Sequence, residues 1–468
     1  MIDYGFLPDF PPAVTRELGQ IEQEASKNEP SGKDLRHLPW ASIDNDDSRD
    51  LDQVTLAEAL TENQAKVYVA ISDVDGLVKK DSAIDKHARF NTTSVYTAGE
   101  IFPMLPEKLS TDLTSLKEGA DRQAMVVEMV ISASGEVLSS DIYPAVVQNK
   151  AHLTYNQVAA FLDTRTSKGS LIPPEVAKNL RLQARIAANL RTQRYKRGAL
   201  DFKTIQTQTI FTDDHIGSVQ EEEPNRAKEL IEDFMIAAND VTARFLHARH
   251  LPAIRRVVRS PKRWDRIVQV AAQYGFKLPP APDSGALERF LAARRTADPV
   301  SFPDLSLIII KLLGQGEYYA EQPGENAPGH FSLAVRDYSH STAPNRRYSD
   351  LVTQRLLKAA LGTERRQYTL ASLVAIAQRC TEQEDQANKV ERLVTKSAGA
   401  MLLSGSLGNI FDAVCTGAAE KGTWVRIFKP PVEGRLVEGF QGVDVGDRLE
   451  VKLVSTDVDK GYIDFARA

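Results

Sequence analysis

The chain has 468 residues, 42% of them hydrophobic, and a formal net charge of −5, enough apolar material for a large core and more than one domain. No run approaches eighteen uninterrupted apolar residues, and Met1–Asp9 has neither a basic nor an apolar leader region, so a membrane-spanning or secreted protein is not expected. Cys380 and Cys415 stand far apart in no metal or redox spacing, which fits reduced thiols and a cytoplasmic compartment.

Residues 1–36 form an arm with one amphipathic helix over 11–25 and a polar Asn-Glu-Pro-Ser-Gly linker. Next, Ser42–Gln53 holds five aspartates in twelve residues between two apolar runs. Like charges this close repel, and folding would concentrate them unless a cation offsets the cost. An acidic surface turn is the plain alternative. A calcium loop is excluded, since its sixth position is Arg49 rather than Gly and its twelfth is Thr55 rather than Glu. A hard-cation site for magnesium or manganese, working on a phosphodiester, is the remaining functional possibility.

Strands are expected over 52–56 and 66–72, joined as a hairpin that puts the aspartates at the mouth of a sheet. A short helix over 81–89, a strand over 92–96 and a Pro-bounded irregular loop over 101–106 follow. Strands over 125–132 and 135–138 complete a β-rich first half. Helical periodicity covers 153–162, 174–197, 226–250 and most of 260–316, with strand character over 199–203. Two arginine-rich clusters, 181–197 and 244–266, are phosphate-sized basic patches or solvated helix faces.

Pro344-Asn345-Arg346-Arg347 suits a helix N-terminus facing an anion, with guanidinium groups to grip a phosphate. Arg346 has a structural alternative, an ion pair with Asp350. Helices are expected over 350–361 and 368–403. From 409 to 468, five short segments separated by Gly suggest an OB-type barrel, with Trp424, Arg426, Phe428 and Lys429 either facing single-stranded nucleic acid or, for the aromatics, filling the barrel. The fold class is therefore α+β, a mixed β core surrounded by helices followed by a small all-β barrel.

Several motifs occur in order: Asp44 with Asp50 and Asp52, Ser94-Val95-Tyr96, Pro103-Met104-Leu105-Pro106, Glu232 before Met235-Ile236-Ala237-Ala238-Asn239, and Pro344-Asn345-Arg346-Arg347-Tyr348. With them the chain resembles the ribonuclease II / RNase R family of RNB-type exoribonucleases over roughly 37–400, and its tail resembles the S1-type OB fold that ends those enzymes. The resemblance implies an arm over 1–36, a catalytic domain over 37–403 and an RNA-binding barrel over 409–468. It implies processive 3′→5′ hydrolysis of single-stranded RNA to nucleoside 5′-monophosphates, by a two-metal mechanism using Mg²⁺ or Mn²⁺, in a monomer.

By motif position, Asp44, Asp50 and Asp52 would be the acidic metal-site residues, and Arg346 would stabilise the transition state. Tyr96 and Phe202 would stack on the last bases unless they are core aromatics, and Glu232, Arg347, Glu391 and Trp424 would contact RNA. Three departures stand out. Gln53 replaces the family's fourth aspartate, offering an amide oxygen without charge and throwing weight onto Asp46 or Asp47. Ser341, Ala343 and Asn345 stand where the family favours Phe, Ser and Ile. Only about forty residues precede the aspartates, so no counterpart of the family's two cold-shock domains is expected, and RNA duplexes with a 3′ overhang are expected as further substrates. Two alternatives remain: an RNA-binding protein on a degenerate nuclease scaffold, or a DNA-directed or endonucleolytic phosphodiesterase.

Overall fold

A computed structural model describes residues 1–25, 32–97, 99–163, 172–203, 207–212, 215–221, 225–299, 301–325, 327–363 and 368–468, with 207–212 and 215–221 described by backbone alone. The architecture is α+β: a seven-stranded sheet wrapped by helices, followed by a closed five-stranded barrel. Across the sheet the strands run Lys33–Asp34, Val137–Gln148, Asp121–Ser132, Gln64–Ser72, Gln53–Thr61, Ala41–Asp44 and Ala151–Thr154. The central pairs are antiparallel, and the pair at each edge is parallel.

Successive residues of the central strands face opposite sides. Val54, Leu56, Tyr68 and Ala70 pack with Trp40 and Val126 on one face, whereas Ala57, Val67, Val69 and Ile71 join the main core on the other. Because both faces are covered, these strands read as apolar runs. The Asp-rich segment 45–52 connects two neighbouring strands, so Asp44 and Gln53 sit side by side at one end of the sheet.

The expected helix near 81–89 is Ala83–Asn91, capped by Ser82, whose hydroxyl accepts from Asp85 N–H. Arg226–Ala248, capped by Asn225, buries Leu230, Ile231, Phe234, Ala237 and Ala238, the positions that periodicity marks out. The N-terminal arm is part of the same body: Val14 and Ile21 enter the main core, and Phe6 packs with Val95, Ala387 and Val390.

Two expectations need correction, and one strand pair went unread. The helix expected from Leu153 begins at Tyr155, because Ala151–Thr154 pairs in parallel with Ala41–Asp44. Thr154 and Gln157 cap the helix reciprocally, each side chain accepting from the other's backbone N–H at 3.2 Å. Residues 199–203 form no strand; Leu200, Asp201 and Lys203 N–H donate instead to Ser332 carbonyl, Glu288 and Ser306. The antiparallel pair Ala253–Val257 and Glu317–Glu321 is hidden in the sequence by Arg255 and Arg256, whose charges are met by Glu321 and Glu384.

Many arginines of the basic clusters are engaged in ion pairs, some buried and some half-exposed. Arg191 and Arg194 pair with Asp233, Arg244 with Asp240, Arg259 with Glu317, and Arg263 and Arg266 with Asp444. In the barrel, all five expected segments are strands, around a core that includes Val425, Ile427, Leu436, Val451, Leu453 and Phe465. That core continues into Ala400 and Leu403 at the end of the long helix Leu370–Leu403, which ties the barrel to the sheet-and-helix body.

Candidate active site

The connection 45–52 and the loop before helix Tyr348–Ala360 meet at the sheet end, where they enclose a cleft of about 370 Å³. Asp44, Asp50, Asp52, Gln53, Tyr96 and Arg346, separated by up to about three hundred positions, all line it. Asn45, Ser48, Tyr155, Ile231, Met235 and Thr342 complete its walls.

Asp52 is the most constrained of the acids, at 2% exposure. Its Oδ1 accepts from Asn345 N–H at 3.0 Å, and its Oδ2 lies 3.9 Å from Arg346 Nε. Burial pushes its pKa up to about 8, and the Arg346 charge only partly opposes this. Asp50 is also raised by burial, again against Arg346. Tyr96 O–H donates to Asp50 Oδ2 at 3.3 Å, which lays the ring along the cleft at 40% exposure. Glu391, on the long helix, accepts Tyr96 N–H at 3.0 Å and so fixes the backbone that carries this ring. Asp44 Oδ1 accepts from Ser48 O–H and Asn45 N–H, which curls the start of the Asp segment.

The donor chemistry suits a hard divalent cation, with three carboxylates and the Gln53 amide oxygen in one cleft and one carboxylate buried with its charge only partly met, although the three carboxylates do not all come within 4.8 Å of one another. Asp46 and Asp47 are exposed and outside the lining; Asp46 accepts from Asn156. Among the described residues, the one set of three candidate ligands with atoms all within 4.8 Å of one another is His247, Glu321 and Asp337. It lies outside this cleft, and the Arg255 guanidinium already contacts Glu321 there.

Other sequence candidates fall elsewhere. Phe202 is half-buried against the helical cluster that includes Leu200 and Phe302, and it does not line the cleft. Glu232 is exposed on the helix whose Ile231 and Met235 do. Arg347 makes a two-point ion pair with Asp350 at 2.7 and 3.0 Å, so the structural partner proposed for Arg346 is taken by its neighbour. Trp424 is half-buried on the barrel, packed over Gly417, and Arg426 is held by Asp304 at 2.6 Å. Tyr155, by contrast, lines the cleft without having been singled out; the Thr154-x-x-Gln157 cap is the signal that places it at a strand–helix junction.

Comparison with known proteins gives two family matches: the RNB domain over residues 32–363 and the RNase II-type exonuclease C-terminal S1 domain over 409–468. The chain is 30% identical to ribonuclease R of Vibrio parahaemolyticus, over 98% of this chain and 58% of that protein. It is 31% identical to ribonuclease R of Thermotoga maritima, over 98% and 68%. It thus spans about three-fifths of the length of several relatives. Its fold matches Mycoplasma genitalium RNase R in complex with ribose-methylated single-stranded RNA, with a TM-score of 0.87 at 24% identity, covering 100% of this chain and 77% of that one. Yeast Ssd1, a pseudonuclease, matches with a TM-score of 0.67 at 16% identity, covering 86% and 50%.

Proposed function

The chain belongs to the RNB-domain family, and on that premise we propose that it is a hydrolytic 3′→5′ exoribonuclease acting on single-stranded RNA and releasing nucleoside 5′-monophosphates. One observation carries this: the buried Asp52 carboxylate and the Arg346 guanidinium, 3.9 Å apart, share one cleft with Asp44, Asp50 and the half-exposed Tyr96 ring.

Arg346, with its side chain 44% exposed, is free to meet negative charge spread over phosphoryl oxygens. Tyr96 offers a stacking face that accepts any base, so no sequence code is expected. Glu391 keeps that face in place. Asp44, Asp50 and Asp52, with Gln53, would hold Mg²⁺ or Mn²⁺, which when bound supplies Lewis-acid stabilisation of the phosphodiester oxygens. Phe202, Glu232, Arg347 and Trp424 would bear on RNA outside the cleft. Duplexes with a 3′ overhang form a second substrate class, in keeping with an M. genitalium RNase R structure in complex with double-stranded RNA. Cytoplasmic work as a monomer belongs to the same proposal, and both cysteines are free and buried.

The test is digestion of 5′-labelled single-stranded RNA with magnesium: a ladder of shortening products, absent with Asp52→Asn, is the expected result. Intact RNA tightly bound by the wild-type chain would instead favour an RNA-binding role. Gln53 in place of an acid and the fold shared with a pseudonuclease support that second reading. Undiminished cleavage of a substrate with 3′-terminal deoxyriboses would rule out selection for RNA.

A further inference from the structure

Asn345 sits between Pro344 and the cleft arginine, 1% exposed, a polar side chain with no access to water. Its amide must find partners inside the protein or destabilise the fold. Both partners are hydroxyls from distant segments. Asn345 Nδ2 donates to Ser72 Oγ at 3.1 Å, and Thr114 Oγ1 lies 2.6 Å from Asn345 Oδ1. Ser72 is 0% and Thr114 4% exposed.

These contacts close a ring around Asp52. Ser72 N–H donates to the Asp52 carbonyl at 2.9 Å, Asn345 N–H donates to the Asp52 carboxylate at 3.0 Å, and the Ser72–Asn345 side-chain bond joins the two anchors. Ser72 is itself fixed, since its carbonyl accepts from Gln354 Nε2 at 2.8 Å. On the far side of Asn345, the Arg346 carbonyl accepts Ser94 N–H at 3.0 Å, so the arginine's main chain is pinned while its guanidinium stays in the cleft.

We propose that Asn345, clamped by the Ser72 and Thr114 hydroxyls, is a positioning residue that sets the Asp52 carboxylate and the Arg346 guanidinium relative to one another. It touches neither substrate nor reacting atoms; it acts through the backbone on either side of it. Replacement by an apolar residue of similar volume leaves the buried Ser72 hydroxyl without its partner, leaves the Thr114 hydroxyl only the Leu109 carbonyl at 2.8 Å, and lets the loop shift. A displacement on the order of 1 Å at a catalytic constellation costs about 10²-fold in rate.

The inference rests on the nuclease reading for its kinetic arm and has a second arm that does not. In steady-state digestion of single-stranded RNA well below the melting temperature, Asn345→Ile is expected to lower kcat about 10²-fold while KM stays within about threefold. Thr114→Val should lower kcat about tenfold, and Thr114→Ser, which keeps the hydroxyl, should stay within about twofold of wild type. In the second arm, Mn²⁺ titration of the metal-free protein should give an affinity weakened about tenfold or more by Asn345→Ile and Thr114→Val and preserved by Thr114→Ser.

A structural role alone would lower the melting temperature and leave kcat and Mn²⁺ affinity of the folded protein at wild-type values, and that result overturns the proposal. Should Asn345→Ile not fold, the Thr114 pair decides: equal behaviour of Val and Ser in both arms overturns it as well. If the wild-type chain leaves RNA intact, the nuclease reading fails, and the Mn²⁺ arm still judges the positioning role.

Discussion

Two buried carboxylates, Asp75 and Asp52, are almost equally hidden from water, at 0% and 2% exposure, yet their surroundings oppose each other. Asp75 lies in a closed ionic network: Arg355 Nε reaches its Oδ1 at 2.7 Å and Lys358 Nζ its Oδ2 at 3.1 Å. Arg355 also meets Asp85 at 2.7 Å and the Val78 carbonyl at 2.7 Å. Burial pushes the Asp75 pKa up, but Lys358 and Arg355 outweigh it and hold it below its ordinary value. At Asp52 the nearest cation stands back at 3.9 Å, and burial wins. A buried acid with its cations in contact belongs to the architecture. One whose cation is held at arm's length, at the wall of a cleft, has unspent electrostatic demand, which is the usual signature of a functional group.

Substitution should separate the two regions cleanly. Asp52→Asn is expected to lower RNA turnover by at least about 10²–10³-fold, the scale for losing a charge that organises a transition state. Its melting temperature at neutral pH should hold or rise, because folding no longer has to protonate a buried carboxyl that is ionised in the unfolded chain. Arg355→Met should do the reverse, costing about 3–5 kcal/mol by leaving buried Asp85 without its cation and Asp75 with Lys358 alone. Activity per folded molecule should change far less. If Asp52→Asn destabilised the protein as much as Arg355→Met, the contrast between the two carboxylates would be wrong.

A smaller effect tests what holds the stacking ring. Glu391→Ala removes the acceptor for Tyr96 N–H without touching the acids. The ratio kcat/KM should fall on the order of tenfold, with the loss concentrated in KM for short substrates, because one hydrogen bond to a carboxylate contributes only about 1.5 kcal/mol. Single-turnover digestion of short against long RNA checks this; equal losses on both would place Glu391 in the chemistry instead.

The same contrast explains what could be read before folding. Asp44, Asp50, Asp52 and Arg346 were legible because a dense run of like charge and an Arg pair at a helix start are local anomalies that need a partner. The four long central strands of the sheet and the barrel strands were legible because their apolar content is local too, whereas the short edge strands Lys33–Asp34, Ala41–Asp44 and Ala151–Thr154 were not. Pairing across distance was not. Arg255 looks like part of a phosphate patch until Glu321, sixty-six positions on, is seen against it, and Arg266 until Asp447 is. Phe202 and Trp424 carry the right chemistry for stacking, but only tertiary packing decides whether an aromatic faces a cleft, and theirs sends them elsewhere. Tyr155 was hidden because a four-residue strand and the helix after it share one apolar run.

The pH dependence of stability should display both carboxylates at once, on opposite limbs. Asp75 has a lowered folded-state pKa, so the stability it contributes is present above its ordinary value of 3.8 and is lost as pH falls through the lowered one. Asp52 has a folded-state value raised from 3.8 to about 8, so its contribution is full below about 4 and is lost as pH rises through about 8. Asp50, also raised, adds to the second limb. In chelator-treated protein the melting temperature should therefore decline from pH 5 to pH 9, by roughly 3–6 °C for a chain of this size. Asp52→Asn should lessen that decline, the remainder coming from other buried acids such as Glu288, which burial also raises to about 8, while Asp75→Asn should change the acidic limb. Added Mg²⁺ or Mn²⁺ should raise the melting temperature more at pH 8.5 than at pH 5.5, because a cation favours the ionised carboxylates that the empty cleft disfavours. An alkaline decline identical in wild type and Asp52→Asn would mean that some other group titrates there, and that the Asp52 charge is already met by Arg346.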